Sequence, residues 1–488
     1  MWTFIISIVL LLLGYLLYGR VVEKVFGAKK KRKTPAYTMY DGVDFIPMPT
    51  WKIFLIQFLN IAGTGPIFGA ILGILYGPTA YVWIVLGCVF GGAVHDYMAG
   101  VISLRSKGAS LPEIIGSELG PVALVSTRVL ILILMILVGA VFTTTPAGLL
   151  ANLTPTDGFW GGALFWSIVI MAYYMLATVL PINQLIGRIY PVFGLALLVM
   201  GIGVFVGIIT QDGFLPEIDT AFISQHPSAA MPMYPGICIT IACGAVSGFH
   251  ATQSPLMARC LKNERLARPV FYGAMITEGL IALIWAAGAI KFASTLDVPG
   301  ATPYEQLFNY LTDCGAHGAN PALLVNDLCH SWIGSFGAVL AILGVVFAPI
   351  TTGDTALRSG RLIVADALHY RQDRIYKRIL LALPIFACSI TIMLVDFQVL
   401  WRYFSWFNQS ISIFTFWAIS LWLARKGKNY IIAIIPALWM SMTCMSYILV
   451  APEGFQLDPT LSNIVGAIFA LALLVWFIAK NGKMAKIK

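Results

Sequence analysis

Apolar runs of about twenty residues, set apart by short polar stretches that collect nearly all of the charge, recur thirteen times along the chain. They lie near residues 2–19, 53–75, 79–99, 122–148, 159–181, 188–210, 232–254, 268–291, 331–353, 378–396, 399–424, 429–450 and 461–479. A run of that length is what an α-helix needs to cross the hydrocarbon of a bilayer. The pattern predicts an all-α polytopic membrane protein of about thirteen transmembrane helices.

The placement of the basic residues orients those helices. With the N-terminus outside, all but Lys291 and Arg402 of the 31 lysines and arginines fall in cytoplasmic loops or at the helix ends beside them, as the positive-inside rule requires. The C-terminus is then cytoplasmic. Residues 2–18 are apolar, and the positive charge at Arg20 and Lys29–Lys33 follows them. A cleaved signal peptide has the opposite order, so this segment reads as a retained anchor helix.

Composition supports lipid as the solvent. Apolar residues make up 59% of the 488 residues and charged residues 11%, too few polar groups to cover a soluble globule. The net charge of +9 is spread as orientation clusters, which excludes a nucleic-acid footprint. The eight cysteines and six histidines form no C-x-x-C, H-x-x-x-H or H-E-x-x-H spacing, so no metal site and no cofactor is predicted. A G-x-x-x-x-G-K-[ST] run is absent, which speaks against direct ATP drive. Two long loops stand out. Residues 100–121, inside, have the spacing of a short amphipathic surface helix, and residues 292–330, outside, hold Cys314 and Cys329, either disulfide-bonded or both thiols.

Two spans carry runs that a continuous helix would avoid. Asn60-Ile61-Ala62-Gly63-Thr64-Gly65-Pro66 lies in the second span, and Gly244 to Pro255, with Ser247, Gly248, His250 and Gln253, lies in the seventh. Glycine makes unwinding cheap, and proline removes a donor and clashes with the preceding turn. Unpaired peptide groups in hydrocarbon cost several kcal/mol each, so a break persists where it lines a cavity or binds something. The alternative is a pair of packing kinks.

The second break lies five spans after the first, an odd offset, so the broken helices enter from opposite sides. That predicts an inverted repeat of five plus five helices, with residues 1–50 as an anchor helix and basic loop, 51–210 and 211–424 as the repeats, and 425–488 as two further helices and a basic tail. The two long loops fall where LeuT-type transporters carry an inner surface helix and an outer cap, and the layout is similar to theirs.

Several stretches resemble the carbon starvation protein A family: Phe45-Ile46-Pro47-Met48-Pro49-Thr50, Asn60 to Ile67, Gly91-Gly92-Ala93-Val94-His95-Asp96-Tyr97, Ser103-Leu104-Arg105, Ser247 to Gln253, and Thr351-Thr352-Gly353-Asp354-Thr355. The likeness covers most of residues 20–380. It implies an inner-membrane carrier for peptides when carbon is scarce or, in some members, for pyruvate, within the amino acid–polyamine–cation superfamily. Many members of that family are much longer at the C-terminus.

The candidate substrate site comprises Asn60, Gly63, Thr64, Gly65, Ser247, Gly248, His250, Gln253 and Glu278. Half-helix N–H groups near Gly63–Gly65 and Ser247–Gly248 would meet a substrate carboxylate. Glu278, near the middle of its span, accepts a coupling proton, pairs with a peptide ammonium, or is a structural carboxylate. His250 either titrates with transport or satisfies loose carbonyls. Ala62, Thr351, Thr352 and Asp354 are candidates for coupling to H⁺ or Na⁺; in the sodium symporters that the fold resembles, hydroxyls at the latter place join carbonyls of the first break. Their alternative is a helix-terminus cap. His95 and Asp96 point about 100° apart and could share an ion only with a third partner, so Asp96 is expected instead to reach towards Arg105 or another cytoplasmic base; Asn408, Gln409, Tyr173 and Tyr174 either line the path or bond between helices. The expected partners are a small-molecule solute and membrane lipid. The expected activity is secondary active import of peptides coupled to H⁺ or Na⁺, with pyruvate or another small carboxylate as the alternative substrate. A channel or a membrane enzyme is the rival class.

Overall fold

A computed structural model describes all residues except 42–44, 155–157, 180–181, 229–231, 314–320, 371, 373, 396 and 487–488. The described residues form helices, turns and loops, with no strand among them. In chain order the helices are α1 (Trp2–Phe26), α2 (Thr50–Ile61), α3 (Gly65–Tyr76), α4 (Thr79–Arg105), α5 (Leu111–Leu119) and α6 (Pro121–Leu153). There follow α7 (Ala163–Val179), α8 (Ile182–Thr210), α9 (Met233–Thr240), α10 (His250–Ala258) and α11 (Glu264–Ala293). The last are α12 (Pro303–Asp313), α13 (Pro321–Ile333), α14 (Ser335–Ala365), α15 (Ile375–Ile392), α16 (Phe397–Arg425), α17 (Ile431–Val450) and α18 (Pro459–Lys486).

Nine helices among the described residues are long and apolar enough to cross a membrane. The four other expected spans fall on the bent pair α2/α3, the shorter α7, the interrupted α9/α10, and α16, which carries Arg402. The protein is a multi-pass membrane protein.

Some limits shift for local reasons. The first helix runs on to Phe26 because Val21, Val22, Val25 and Phe26 continue its apolar face, and Gly27 stops it in the left-handed conformation at φ 64°. The segment expected to form a short amphipathic helix folds as α5, started by the reciprocal Ser110–Glu113 capping box, with the Ser110 N–H donating to Glu113 Oε2 at 2.8 Å. Residues 292–330 are not a structureless loop: α12 and most of α13 lie there, each opened by a proline. Cys314 lies outside the described residues, and Cys329 is buried in α13.

The chain divides into two compact units that do not coincide with the halves 51–210 and 211–424. The first comprises Met1–Thr127, Pro216–Leu283 and Asn408–Lys488, the second Arg128–Leu215 and Ile284–Phe407. Each unit takes segments from both halves.

Small residues let the backbones of the first unit approach. Gly65, Gly69 and Gly73 recur every fourth residue along α3 and pack on residues 240–243; a Cβ at Gly65 would stand 2.6 Å from Cys243 Sγ, and one at Gly69 2.8 Å from Thr240 O. Gly87 and Gly91 of α4 meet Ala245 and Val246 in the same way. Lipid tails are as apolar as leucine, so such close packing, rather than a hydrophobic drive, holds membrane helices together. In the second unit Ala147, Ile170, Met171, Tyr174, Leu357, Ala382, Ile385 and Phe386 form the core, and the Tyr174 hydroxyl donates to Phe142 O at 2.8 Å.

Candidate substrate and coupling site

Both expected breaks are present, and both belong to the first unit. The first spans Ala62–Thr64 and bends α2 against α3 by 47°. Pro66 sits in the first turn of α3, where its missing N–H has no helical partner to lose. Around the bend the Ala62 N–H still donates to Phe58 O at 2.7 Å and the Phe68 N–H to Thr64 O at 2.9 Å. Thr64 Oγ1 is buried without a hydrogen-bond partner.

The second break is longer and lies earlier than the sequence suggested. Residues 241–249 leave the helical path, whereas Gln253, Ser254 and Pro255 are inside α10. The correction has a local cause: Gly244 takes φ +90°, which only glycine adopts at little cost, and Pro255 removes one donor without ending its helix.

Protein groups replace the helical partners that the second break gives up. Gly244 N–H donates to Glu278 Oε1 at 3.0 Å, Gly248 N–H to Asn408 O at 3.1 Å, and Phe249 N–H to Asn408 Oδ1 at 2.6 Å. The Ser247 hydroxyl donates to the same Oδ1 at 3.0 Å, and Trp83 Nε1–H donates to Ile241 O at 3.1 Å. Of the N–H groups at Ser247–Gly248 that were expected to await a substrate carboxylate, one already has a protein partner. The Gly248 donor is taken by Asn408, and the donor of this break that meets a carboxylate is Gly244, whose acceptor is Glu278.

Around that contact lies a chain of ionisable side chains with no solvent-exposed surface. His95 Nδ1 is 3.0 Å from Asp96 Oδ1, and His250 Nδ1 is 3.2 Å from Asp96 Oδ2. On the other side of its ring, His250 Nε2 is 3.5 Å from Glu278 Oε2, and neither of these two atoms has a hydrogen-bond partner. Cys243 completes the group: its Sγ, a His250 ring nitrogen and a Glu278 carboxylate oxygen all lie within 4.8 Å of one another. Buried charges cost several kcal/mol each unless paired, so alternating imidazoles and carboxylates make the cluster tolerable and can pass or store a proton.

The family model described as carbon starvation protein CstA matches residues 1–164 and 157–303. The chain belongs to this family. A Haemophilus influenzae relative described as an uncharacterized membrane protein is 44% identical over 59% of this chain and 90% of its own length. The Bacillus subtilis peptide transporter CstA is 33% identical over 59% of this chain and 58% of its own, and the Escherichia coli pyruvate/proton symporter BtsT 29% identical over 58% and 48%. The chain thus spans about half the length of the named transporters it matches. Two solved structures share its fold. The Eremococcus coleocola manganese transporter has a TM-score of 0.51 at 13% identity, covering 91% of this chain and 99% of the other. MhsT in complex with L-phenylalanine has a TM-score of 0.53 at 16% identity, covering 86% and 99%. The fold is the LeuT-like one expected of a carbon starvation protein.

Among the residues that the sequence of this family member singled out, Gly65, Ser247, Gly248, His250 and Glu278 come together at the second break or against it. Asn60, Ala62, Gly63 and Thr64 are buried at the first. Gln253 lies one turn into α10, its Nε2 donating to Thr252 Oγ1 at 3.2 Å. Thr351, Thr352 and Asp354 are in the second unit, about midway along α14 and not at a helix terminus, so the capping alternative is corrected. The Thr351 and Thr352 hydroxyls donate to Ala348 O at 2.7 and 3.1 Å, and Asp354 pairs with Arg358 at 3.5 Å. That helix outlasts its apolar run because its arginines find buried partners, Arg358 at Ala177 O and Arg361 at Gln372.

Asp96 does not reach Arg105. Nine residues of α4 separate them, about 13.5 Å of helix rise, and Arg105 instead donates from Nε to Glu264 Oε1 at 2.5 Å. Glu264 also accepts from Arg32 at 2.6 Å and from the Lys29 N–H at 2.8 Å, tying down the basic loop after α1. Sequence reasoning passed over Cys243, and it named Asp96 and Asn408 without placing them at the second break. The adjacent His95-Asp96 pair inside an apolar span was the signal for Asp96, since only a third partner could make it useful; that partner is His250.

Proposed function

We propose that the protein is a secondary active carrier that imports small carboxylate-bearing solutes, peptides foremost, across the cytoplasmic membrane by alternating access. The observation that carries this reading is the pair of interrupted helices packed on one another at Gly65 and Cys243, with four buried ionisable groups at the second interruption. Interrupted helices of this kind hold substrate and coupling ion in transporters of the same architecture. Peptides come first because relatives from several bacteria bear the name peptide transporter CstA. The N-terminus lies outside and the C-terminus in the cytoplasm, following the distribution of lysine and arginine.

The coupling ion in this reading is the proton. The His95–Asp96–His250–Glu278 chain supports it, because each link is an acid or a base in reach of the next. Coupling to sodium through Ala62, Thr351, Thr352 and Asp354 has less support: both hydroxyls donate back into their own helix, and Asp354 faces Arg358.

Pyruvate is the second reading, and one observation favours it. Glu278, the carboxylate meant for a peptide's ammonium group, is already engaged by Gly244 and faces His250. A substrate without an ammonium group asks nothing more of it. Counterflow of labelled dialanine and of labelled pyruvate in proteoliposomes, with and without an inward proton gradient, separates the two. Gradient-driven accumulation of one is expected, and transport of neither would defeat the function proposed here.

A further inference from the structure

We propose that Glu278 stands in for the substrate's carboxylate in the unloaded carrier, and that its protonation beside His250 frees the Gly244 N–H to receive that carboxylate. The inference rests on the carrier reading above and deepens it by naming the residue at which proton and substrate are coupled.

Three observations carry it. The Gly244 N–H belongs to a break that only a left-handed glycine allows, and a side-chain carboxylate occupies it at 3.0 Å. Its neighbours in the break are served by Asn408, an amide that carries no charge and cannot titrate. The second Glu278 oxygen, Oε2, is fully buried, has no hydrogen-bond partner and faces His250 Nε2 at 3.5 Å, so it is the atom placed to take a proton. The titratable groups facing Glu278 are His250 from α10, Asp96 of α4 behind it, Cys243 from the break and Cys88 of α4, which packs on Gly279.

Charge balance supplies the coupling. Asp96 and Glu278 already place two carboxylates in a site without solvent, and a third would enter against like charge in a low dielectric. If Glu278 is neutralised as the substrate arrives, the number of buried negative charges stays the same. The proton moves from His250 Nε2 to Glu278 Oε2: the N–H bond breaks as the O–H bond forms, the imidazole becomes neutral, and a proton from solution restores it. Neutral Glu278 is a weaker acceptor than the carboxylate, so the substrate competes successfully for Gly244. One proton enters with each carboxylate.

Hydrogen–deuterium exchange of the full chain in nanodiscs tests this without any substrate. In the wild type, exchange over residues 241–249, corrected for the intrinsic chemical rate, should speed up as pH falls. In Glu278→Gln it should be roughly fivefold faster than wild type at pH 7, the step from a charged to a neutral acceptor, and flat with pH. Glu278→Asp, which keeps the charge, should restore a pH-dependent profile. A wild-type profile flat with pH, or a wild-type profile retained by Glu278→Gln, overturns the inference. A second measurement follows protons with a pH dye as pyruvate or dialanine binds: about one should be taken up per bound probe by the wild type and none by Glu278→Gln. Uptake persisting in Glu278→Gln also overturns it. Failure of both probes to bind the wild type tells against the carrier reading instead, and the exchange profile then decides the inference by itself.

Discussion

The two breaks solve one problem in different ways. At Ala62–Thr64 the chain bends within three residues, and its own backbone resumes hydrogen bonding at Phe68. At 241–249 it leaves the helical path for nine residues; some turn bonds within it remain, and groups from three other helices hold the rest, Trp83 of α4, Glu278 of α11 and Asn408 of α16. The first needs only glycine, a proline in a first turn and a small neighbour. The second imports polar partners, and those partners bring charge with them. A break closed by its own backbone can act as a hinge or a wall, whereas one held by ionisable groups can respond to a proton. The two meet where Gly65 lies against Cys243.

Substitutions at that meeting point should have the largest effect. Gly65→Val places its first carbon where Cys243 already stands, with 2.6 Å between them, and should abolish transport and sharply lower the yield of folded protein in detergent. Normal uptake by this variant would show that the two breaks do not depend on one another.

Next comes the contrast between imported and local partners. Asn408→Ala leaves the Phe249 N–H and the Ser247 hydroxyl unpaired in a buried place and should cost about 2–4 kcal/mol, read as a fall in melting temperature with loss of transport. Thr64→Ala at the first break removes a buried methyl but also a buried hydroxyl that bonds nothing, two opposed effects that should leave it within about 1 kcal/mol of wild type. Equal losses in the two variants would erase the distinction between the breaks.

Gly244→Ala should fall between these, losing about 1–3 kcal/mol through a positive φ and a Cβ 2.7 Å from Ala282, with the affinity for any transported solute weakened as Gly244 turns from Glu278. Calorimetry of the purified variant gives the first quantity and counterflow the second.

The smallest effect belongs to a carboxylate that serves helix N–H groups outside the membrane spans. Glu217 accepts from the N–H groups of Trp2 and Thr3 at 3.0 and 2.9 Å, at the start of α1. Slight burial pushes its carboxyl up, but hydrogen bonds from the terminal ammonium and from Thr3 outweigh this and hold it at about 2. Since the folded value lies below the usual one, the stabilisation is present above about pH 4.5 and is lost as pH falls towards 2. Glu217→Gln should therefore lower the melting temperature slightly at pH 7, by less at pH 2.5 and not at all well below pH 2, with the difference shrinking in high salt. A large effect at pH 7 would mean that water does little to screen this part-exposed carboxylate.

Much of the architecture was legible from local rules. The apolar runs marked helices because a bilayer leaves no other way to satisfy backbone groups over that length. Gly63-Thr64-Gly65-Pro66 marked the first break to within a residue or two, because glycine and proline act on their own backbone. The second break was placed only roughly, because Pro255 does not end its helix, and the partners that pair its freed groups, Glu278 and Asn408, lie 34 and about 160 residues further along the chain. Asp96 was expected to pair with Arg105 or another cytoplasmic base; the helix rise forbids the contact with Arg105, and His95 and His250 take that place.

By itself the sequence determined that this chain crosses a membrane many times and that two of its helices are interrupted; each follows from residues near one another and from what lipid does to charge and to unpaired peptide groups. Only the tertiary structure decided which distant side chains fill the second interruption, and that His95, Asp96, His250 and Glu278 form one buried chain. The physical reason is that hydropathy is a sum over neighbours in sequence, whereas the partner of a buried charge is chosen by packing, here by glycines that let α3, α4 and the second break lie close enough for short side chains to touch.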